Sequence, residues 1–278
     1  MKKLLLFFVL LLAGTPNGHA QTLYALLVLD QAEKENNLGR ISQADEKQIN
    51  DVIQTLVFGI KYKIQKEYIM GGTVGADGLR EKINSLRVEP QDILFFYYSG
   101  QGYYPDAKSK FPTLKLEESN ILSVLPSSIR SIWEDKPVSL DEVGELLKKK
   151  GGRLNIVMAD CRNTTVKVPV IPPPRGTSID AGSSRDIMEK LMKAECGVIK
   201  VASARKDEPV WAAAPVSGSL FTLNFKNSFD ALFTPETKIK GVSWNSLLRS
   251  TRNELNDVLG KVNKKQFPVW EIDTKSCQ

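Results

Sequence analysis

Histidine is almost absent from this chain. The 278 residues contain one histidine, His19, and it lies in an N-terminal segment with two early lysines, an apolar run over residues 4–13 and a small-residue cleavage motif at 18–20. That pattern is typical of a secretory signal peptide. We expect cleavage before Gln21, which makes the mature protein secreted or periplasmic and leaves it without an imidazole. An uncleaved anchor is the alternative, although the apolar run is shorter than the roughly 20 residues that span a bilayer.

Cysteine is also scarce, and the charge balance is mild. The three cysteines lie far apart in sequence and no histidine accompanies them, so we expect no metal site and no cofactor.

Loss of the signal lowers the formal charge from +6 to +4, and no basic stripe is interleaved with aromatic residues, so nucleic acid is not an expected partner. No other apolar run is a candidate membrane span. With 42% hydrophobic and 25% charged residues, the composition is that of an ordinary globular protein.

What the mature chain does have is an alternation of strands and helices. This alternation predicts an α/β fold, with a mostly parallel sheet and helices on both faces, in a single domain over residues 21–278. Two segments interrupt it: a mixed insertion at about 103–136, with a small strand at 121–125, and a Pro-rich flexible loop at about 166–182. The predicted strands are 22–29, 66–70, 92–98, 154–159, 198–203 and 267–272. The predicted helices are 42–60, 77–86, 139–147, 184–193, 219–233 and 243–262. Asp77 is the predicted cap of the second helix, and Ser139 begins a capping box at the start of the third.

Two strand ends carry residues of chemical interest. The stretch ILFFYYSGQGYY, residues 93–104, is an apolar run that ends in a Gly-flanked glutamine, Gln101. The run LNIVMA is followed directly by Asp160 and Cys161. Functional sites of open parallel sheets lie beyond the carboxyl ends of the strands. If these two strands are neighbours, we expect Gln101 and Cys161 to face each other across a crevice.

These motifs resemble those of the caspase and metacaspase family of cysteine endopeptidases. In that family a strand ends in Ser-Gly-His-Gly, which carries the general base, about 50 residues before the nucleophilic cysteine; here Gln101 precedes Cys161 by 60 residues. Weaker matches follow in the family's order at 24–29, 202–204, 218–222 and 266–268. The resemblance implies a three-layer caspase-like fold with a six-stranded sheet, in which the third and fourth strands are adjacent.

The resemblance also assigns roles to single residues. Cys161 occupies the nucleophile position, Gln101 stands in place of the histidine base, and Gly102 would contribute to an oxyanion hole. The candidate substrate-binding residues are Asp160, Ser203 and Trp211. In metacaspases an acidic residue two positions before the cysteine helps to bind a basic side chain. Asp160 is one position before it, and therefore on the opposite face of a strand, so basic specificity does not carry over.

The resemblance further implies a disulfide. In the family the fifth and last strands pair antiparallel, which would bring Cys196 near Cys277 and leave Cys161 as a thiol. An exported protein reaches a compartment in which disulfides persist.

The missing histidine determines the functional hypothesis. A cysteine protease needs a base to form its thiolate and an acid to protonate the leaving amine, and glutamine can do neither. We therefore expect a pseudoprotease that binds a peptide or protein partner, through the crevice or through a homodimer edge. The alternative is an active or weakly active cysteine endopeptidase that uses Cys161 with an unusual or external base. A globular α/β domain that merely shares the pattern is a third interpretation.

Overall fold

The computed structural model describes residues 21–30, 38–70, 75–116, 136–162, 184–214, 217–234 and 239–277. Its strands, in chain order, are β1 Thr22–Leu29, β2 Lys63–Met70, β3 Ile93–Tyr103, β4 Thr113–Leu114, β5 Val138–Ser139, β6 Leu154–Arg162, β7 Glu195–Ala202, β8 Ala212–Ala214, β9 Gly218–Ser219 and β10 Val269–Ser276. Its helices are α1 Leu38–Ile60, α2 Ala76–Ser85, α3 Leu140–Lys149, α4 Ser184–Lys193, α5 Leu220–Ala231 and α6 Trp244–Gly260, with a 3₁₀ turn at Ile239–Gly241.

Six of the strands form the central sheet. Their spatial order is β10-β7-β6-β3-β1-β2, and all neighbours are parallel except β10, which pairs antiparallel with β7. The order confirms the α/β class, the six-stranded and mostly parallel sheet, and the adjacency of the third and fourth predicted strands, here β3 and β6. The short strands β4 and β5 extend the sheet beyond β3, while β8 and β9 pair separately.

Helices cover both faces of the sheet, which gives three layers. Apolar side chains of α1, α4, α5 and α6 form one core cluster with one face of the central strands. Side chains of α2 and α3 form a second cluster with the other face. Strands buried on both sides need apolar residues at successive positions, and this explains why β1 and β3 are continuous apolar runs. No helix in the described ranges is long and apolar enough to cross a membrane.

Several element boundaries differ from the sequence-based prediction. β3 and β6 run several residues past their predicted ends, because the end of β3 gains new partners: Gly102 pairs with Leu114 of β4. The predicted cap of α2 is wrong, since Gly75 is the N-cap and Asp77 lies in the first turn, where it pairs with Arg80. The predicted strand at 121–125 and the Pro-rich loop lie outside the described residues.

The structure joins Cys196 and Cys277 in a disulfide, the pairing that the resemblance implied. The two cysteines come together because β10 runs antiparallel to β7, with Lys275 opposite Cys196. Cys277 also donates its backbone N–H to the carbonyl of Ala194 at 3.0 Å. The C-terminal strand is therefore fixed to the sheet both by hydrogen bonds and by a covalent link.

Candidate functional site

The carboxyl ends of β3, β6 and β7 lie side by side and carry most of the predicted site residues. Gly100 of β3 pairs with Cys161 of β6, and Ala159 of β6 pairs with Ala202 of β7. Because the three strands are parallel, their polar ends meet at one edge of the sheet. The structure thus brings Gln101, Cys161 and Ser203 to the same edge, and the adjacency of the first two is what the sequence analysis made conditional on neighbouring strands.

Cys161 is buried rather than presented at the surface. Its side chain is 4% exposed and belongs to the core cluster on the α2 and α3 face of the sheet. Gly102 lies directly against it: a Cβ atom on Gly102 would be 2.7 Å from the Sγ of Cys161 and 2.9 Å from the carbonyl oxygen of Thr113. Only glycine fits between β4 and the thiol without a shift of backbone. The suggested part of Gly102 in an oxyanion hole stays a prediction.

Gln101 lies one step beyond Cys161 at this edge, and the expectation that the two side chains face each other across a crevice stays a prediction. The register pairs Gln101 with Arg162, one step beyond Cys161, and side chains alternate along a strand. The side chains of Gln101 and Cys161 therefore start from opposite faces of the sheet. The Oε1 atom of Gln101 accepts a hydrogen bond at 3.1 Å from the Nζ of Lys115, a residue just past β4.

A tyrosine outside the predicted set lies close to the thiol. The hydroxyl of Tyr104 donates to the carbonyl of Ala204 at 2.6 Å and links the end of β3 to the segment after β7. Burial raises the pKa of Tyr104 well above its ordinary value, and negative charge at the positions of Cys161 and Glu208 acts in the same direction. Tyr104 consequently stays protonated at neutral pH, which makes it unsuited to act as a general base for Cys161.

Asp160 lies on the other face of the sheet from Cys161, as strand alternation predicts. It is completely buried, and its Oδ2 atom accepts hydrogen bonds from the hydroxyls of Ser219 and Thr222, the latter at 2.7 Å. Its Oδ1 atom has no hydrogen-bond partner among the described residues. The carboxylate thus holds the start of α5 against the end of β6. Its suggested part in substrate binding stays a prediction.

A second buried carboxylate, Asp45 of α1, completes this polar layer and was not singled out from the sequence. Its Oδ1 accepts from the backbone N–H of Ser219 at 2.7 Å, and its Oδ2 accepts from the hydroxyl of Ser99 at 2.8 Å. One side chain therefore connects α1, β3 and β9. A signal was present in the sequence, because Asp45 lies four residues after Ile41 and four before Ile49 on the apolar face of the helix.

The remaining two predicted site residues are joined through Gln266. The backbone N–H of Trp211 donates to the Oε1 of Gln266 at 2.9 Å, and the Nε2 of Gln266 donates to the carbonyl of Ser203 at 2.8 Å. Trp211 is buried, and its indole N–H donates to Lys265 at 3.1 Å. The Oγ of Ser203 is buried and has no partner in the described part of the chain. Whether either residue contacts substrate stays a prediction.

The arrangement brings together a thiol, the Gln101 amide, the Lys115 ammonium and the Tyr104 phenol. The amide cannot take up a proton at neutral pH, and the phenol keeps its own, so neither side chain replaces the family's histidine. Within the described ranges, no group of three or more histidine, cysteine or acidic side chains could hold a metal ion.

Comparison with known proteins places this geometry in a family. A family model described as the caspase domain matches residues 32–276. Among solved structures, caspase-1 from Spodoptera frugiperda superimposes with a TM-score of 0.52 at 11% identity, over 92% of this chain and 89% of that chain. A Geobacter sulfurreducens protein gives a TM-score of 0.49 at 12% identity, over 91% and 93% of the two chains. No curated protein sequence matches. The family model covers most of the chain, and the chain therefore belongs to the caspase domain family.

Proposed function

We propose that this chain is an exported caspase-like protein without ordinary peptidase activity, a pseudoprotease that acts by binding a peptide or protein partner. Membership of a peptidase family favours a peptide or protein as the ligand. The signal-like N-terminus favours an exported protein, and a disulfide between Cys196 and Cys277 is compatible with that environment.

The observation that carries the proposal concerns the two catalytic positions: the residue at the base position is replaced, and the residue at the nucleophile position is buried. Gln101 replaces the family's base, and the only histidine of the chain precedes residue 21. Cys161 is buried against Gly102, on the face of the sheet opposite to that from which the Gln101 side chain starts. Loss of a general acid–base typically slows a reaction by about 10²–10⁴-fold, and members of a catalytic unit fail together.

An active cysteine endopeptidase is the competing function. It has the family membership in its favour, together with a cysteine at the nucleophile position. It would need a base that replaces histidine. The pKa of Tyr104 is shifted upward, away from the value that a base needs.

The test is cleavage of a diverse peptide pool by purified residues 21–278, followed by mass spectrometry. Cys161→Ala serves as the matched control, because it removes the sulfur and keeps the backbone. The proposal predicts identical peptide patterns for the two proteins. Cleavage products that form with the wild type and are absent with Cys161→Ala would make this chain an active protease and overturn the proposal.

A second variant locates the loss of activity. Gln101→His restores the residue that the family uses as a base, at the same position of β3. Activity gained by this variant would assign the loss to that one side chain. A silent Gln101→His variant would assign part of the loss to the register that directs residues 101 and 161 to opposite faces.

A further inference from the structure

The strand β2 forms one outer edge of the central sheet. It pairs with β1 through a regular parallel ladder of eight residues, and no strand in the described ranges pairs with its outer side. It contains neither proline nor a bulge, and it is longer than the usual five or six residues. Proteins commonly protect such edges by shortening, bending or covering them, because an open edge can accept another strand.

Alternate residues of β2 present their backbone groups to the outside. The N–H of Lys63 donates to Gln21 at 2.8 Å, on the β1 side, so the next residue and every second one after it face outward. Ile64, Lys66 and Tyr68 are the outward residues that precede the last residue of the strand. Each offers one N–H and one C=O at the open edge, and the three together match the spacing of an added antiparallel strand.

The same three residues share a side-chain face. Lys66 and Tyr68 both donate to the Oδ1 of Asn50 on α1, at 2.8 and 3.0 Å. Ile64 and Tyr68 are 39% and 43% exposed, which is high for large apolar side chains. The outer edge of β2 therefore offers an apolar residue, a lysine and an aromatic residue at every second position.

The charge at this edge is positive. Glu67 forms an ion pair with Lys82 of α2, on the other face, whereas Lys66 has a neutral hydrogen-bond partner. Lys61 and Lys63 are exposed at the start of the strand. Burial lowers the pKa of Lys66, and Asp51 and Glu46 on α1 act in the opposite direction. With those two acids nearby, the site suits one carboxylate at its centre rather than a long acidic run.

We propose that β2 binds an extended segment of a partner protein as an added antiparallel strand. The segment has apolar side chains opposite Ile64 and Tyr68 and one carboxylate opposite Lys66, in the pattern apolar-x-acidic-x-apolar. Backbone hydrogen bonds provide most of the affinity, and the three side chains provide the selection. This surface is separate from the strand ends that hold Cys161, so the inference does not depend on the proposed function.

A second copy of this chain fits the same edge less well. In a two-fold antiparallel pair, the register that sets Ile64 opposite Tyr68 of the other copy also sets Lys66 opposite Lys66 of that copy. Like charges directly opposite each other are destabilising. Lysine often guards an edge strand against such pairing. Here, however, the Lys66 side chain is directed onto α1, where its Nζ donates to Asn50, and no described strand pairs with the outer side of β2.

The first experiment uses a seven-residue peptide with blocked termini and the sequence Thr-Val-Thr-Glu-Thr-Val-Thr. Hydrogen–deuterium exchange of residues 21–278, followed by NMR, is measured with and without this peptide. The proposal predicts slower exchange at the amides of Ile64, Lys66 and Tyr68. Protection that is absent there, or confined to another part of the chain, would overturn it. The same protection in peptide-free protein, rising with protein concentration, would assign the edge to self-association and overturn it as well.

The second experiment exchanges the charges. Lys66→Glu should weaken binding of the glutamate peptide by about tenfold, since an attraction becomes a repulsion. A peptide with lysine in place of glutamate should recover that loss with the variant. Lys261→Glu, at the exposed end of α6, is the matched control and should bind like the wild type. Equal binding of both peptides to Lys66→Glu would contradict the proposed pattern, and Lys66→Gln provides a milder change if the reversal impairs folding.

Discussion

Removal of the Cys196–Cys277 disulfide should lower the free energy of unfolding substantially. The two cysteines are 81 residues apart in sequence, so the bond closes a long loop in the unfolded chain. Loop-closure entropy for that length corresponds to about 4.5 kcal/mol at 25 °C, and measured losses for native disulfides are typically about 2–5 kcal/mol.

The native position of β10 should survive this change. Its ladder to β7 covers eight residues. Three ion pairs also connect it to its surroundings: Glu271 with Lys110 and with Lys200, and Asp273 with Lys148, each at 3.0 Å. The cost should therefore arise mainly in the unfolded state, which becomes less compact without the cross-link.

The assay is urea unfolding of residues 21–278, followed by circular dichroism, for the wild type and for Cys196→Ser/Cys277→Ser. We expect a loss of at least 2 kcal/mol and a larger m-value for the variant. Wild type under reducing conditions is the control and should match the double variant. A loss below about 1 kcal/mol, with an unchanged m-value, would refute the loop-entropy reasoning.

Three further substitutions test the packing around the site and the helices. Asp45→Ala leaves two buried donors without an acceptor and should cost about 1–3 kcal/mol for each, measured by denaturant unfolding; a loss below 1 kcal/mol in total would contradict the assigned bonds. Gly102→Ala places a methyl group 2.7 Å from the Sγ of Cys161 and should cost about 1–3 kcal/mol, so an unaffected midpoint would argue against that close approach. Burial raises the pKa of the Glu254 carboxyl, so the folded protein binds the proton of that carboxyl more tightly than the unfolded chain does. The stability that the protonated carboxyl contributes is lost as pH rises through the raised pKa. Glu254→Gln should accordingly raise the melting temperature at pH 7 and have little effect below about pH 4; a destabilised variant at pH 7 would contradict the sign.

The sequence predicted the sheet well because burial on both faces leaves a direct trace in it. β1 and β3 are uninterrupted apolar runs, and the positions of their polar ends are visible without a structure. The helix that starts after Ser139 was also predictable, because Ser139 begins a capping motif in the sequence. In the structure the Ser139 side chain accepts a hydrogen bond from the backbone N–H of Glu142, as an N-cap residue should.

The relation between Gln101 and Cys161 could not be predicted in the same way. Adjacent strands allow either a facing or an opposed arrangement, and a shift of one residue exchanges the two. The register that pairs Gly100 with Cys161 depends on contacts distant in sequence, including the β4 segment that pairs with the end of β3. No local pattern in either strand encodes it.

Asp45 was missed for a different reason. Its helix was predicted to start at Ser42, which would place Asp45 in the first turn, where acidic residues are favourable. The helix in fact starts at Leu38, which places Asp45 well inside it and on its buried face. Its partners, Ser99 and Ser219, come from distant parts of the sequence, and their convergence depends on the tertiary fold.

The most direct test of the account is the alkylation rate of Cys161, measured by mass spectrometry with iodoacetamide on the oxidised mature protein from pH 6 to pH 8. This measurement needs no knowledge of the substrate, because the other two cysteines are blocked by their disulfide. The account predicts that Cys161 reacts more slowly than free cysteine across the whole range and becomes reactive only when the protein is unfolded. A Cys161 that reacts faster than free cysteine at pH 6 would show an activated thiolate, and it would contradict the conclusion that this caspase-like protein is a pseudoprotease.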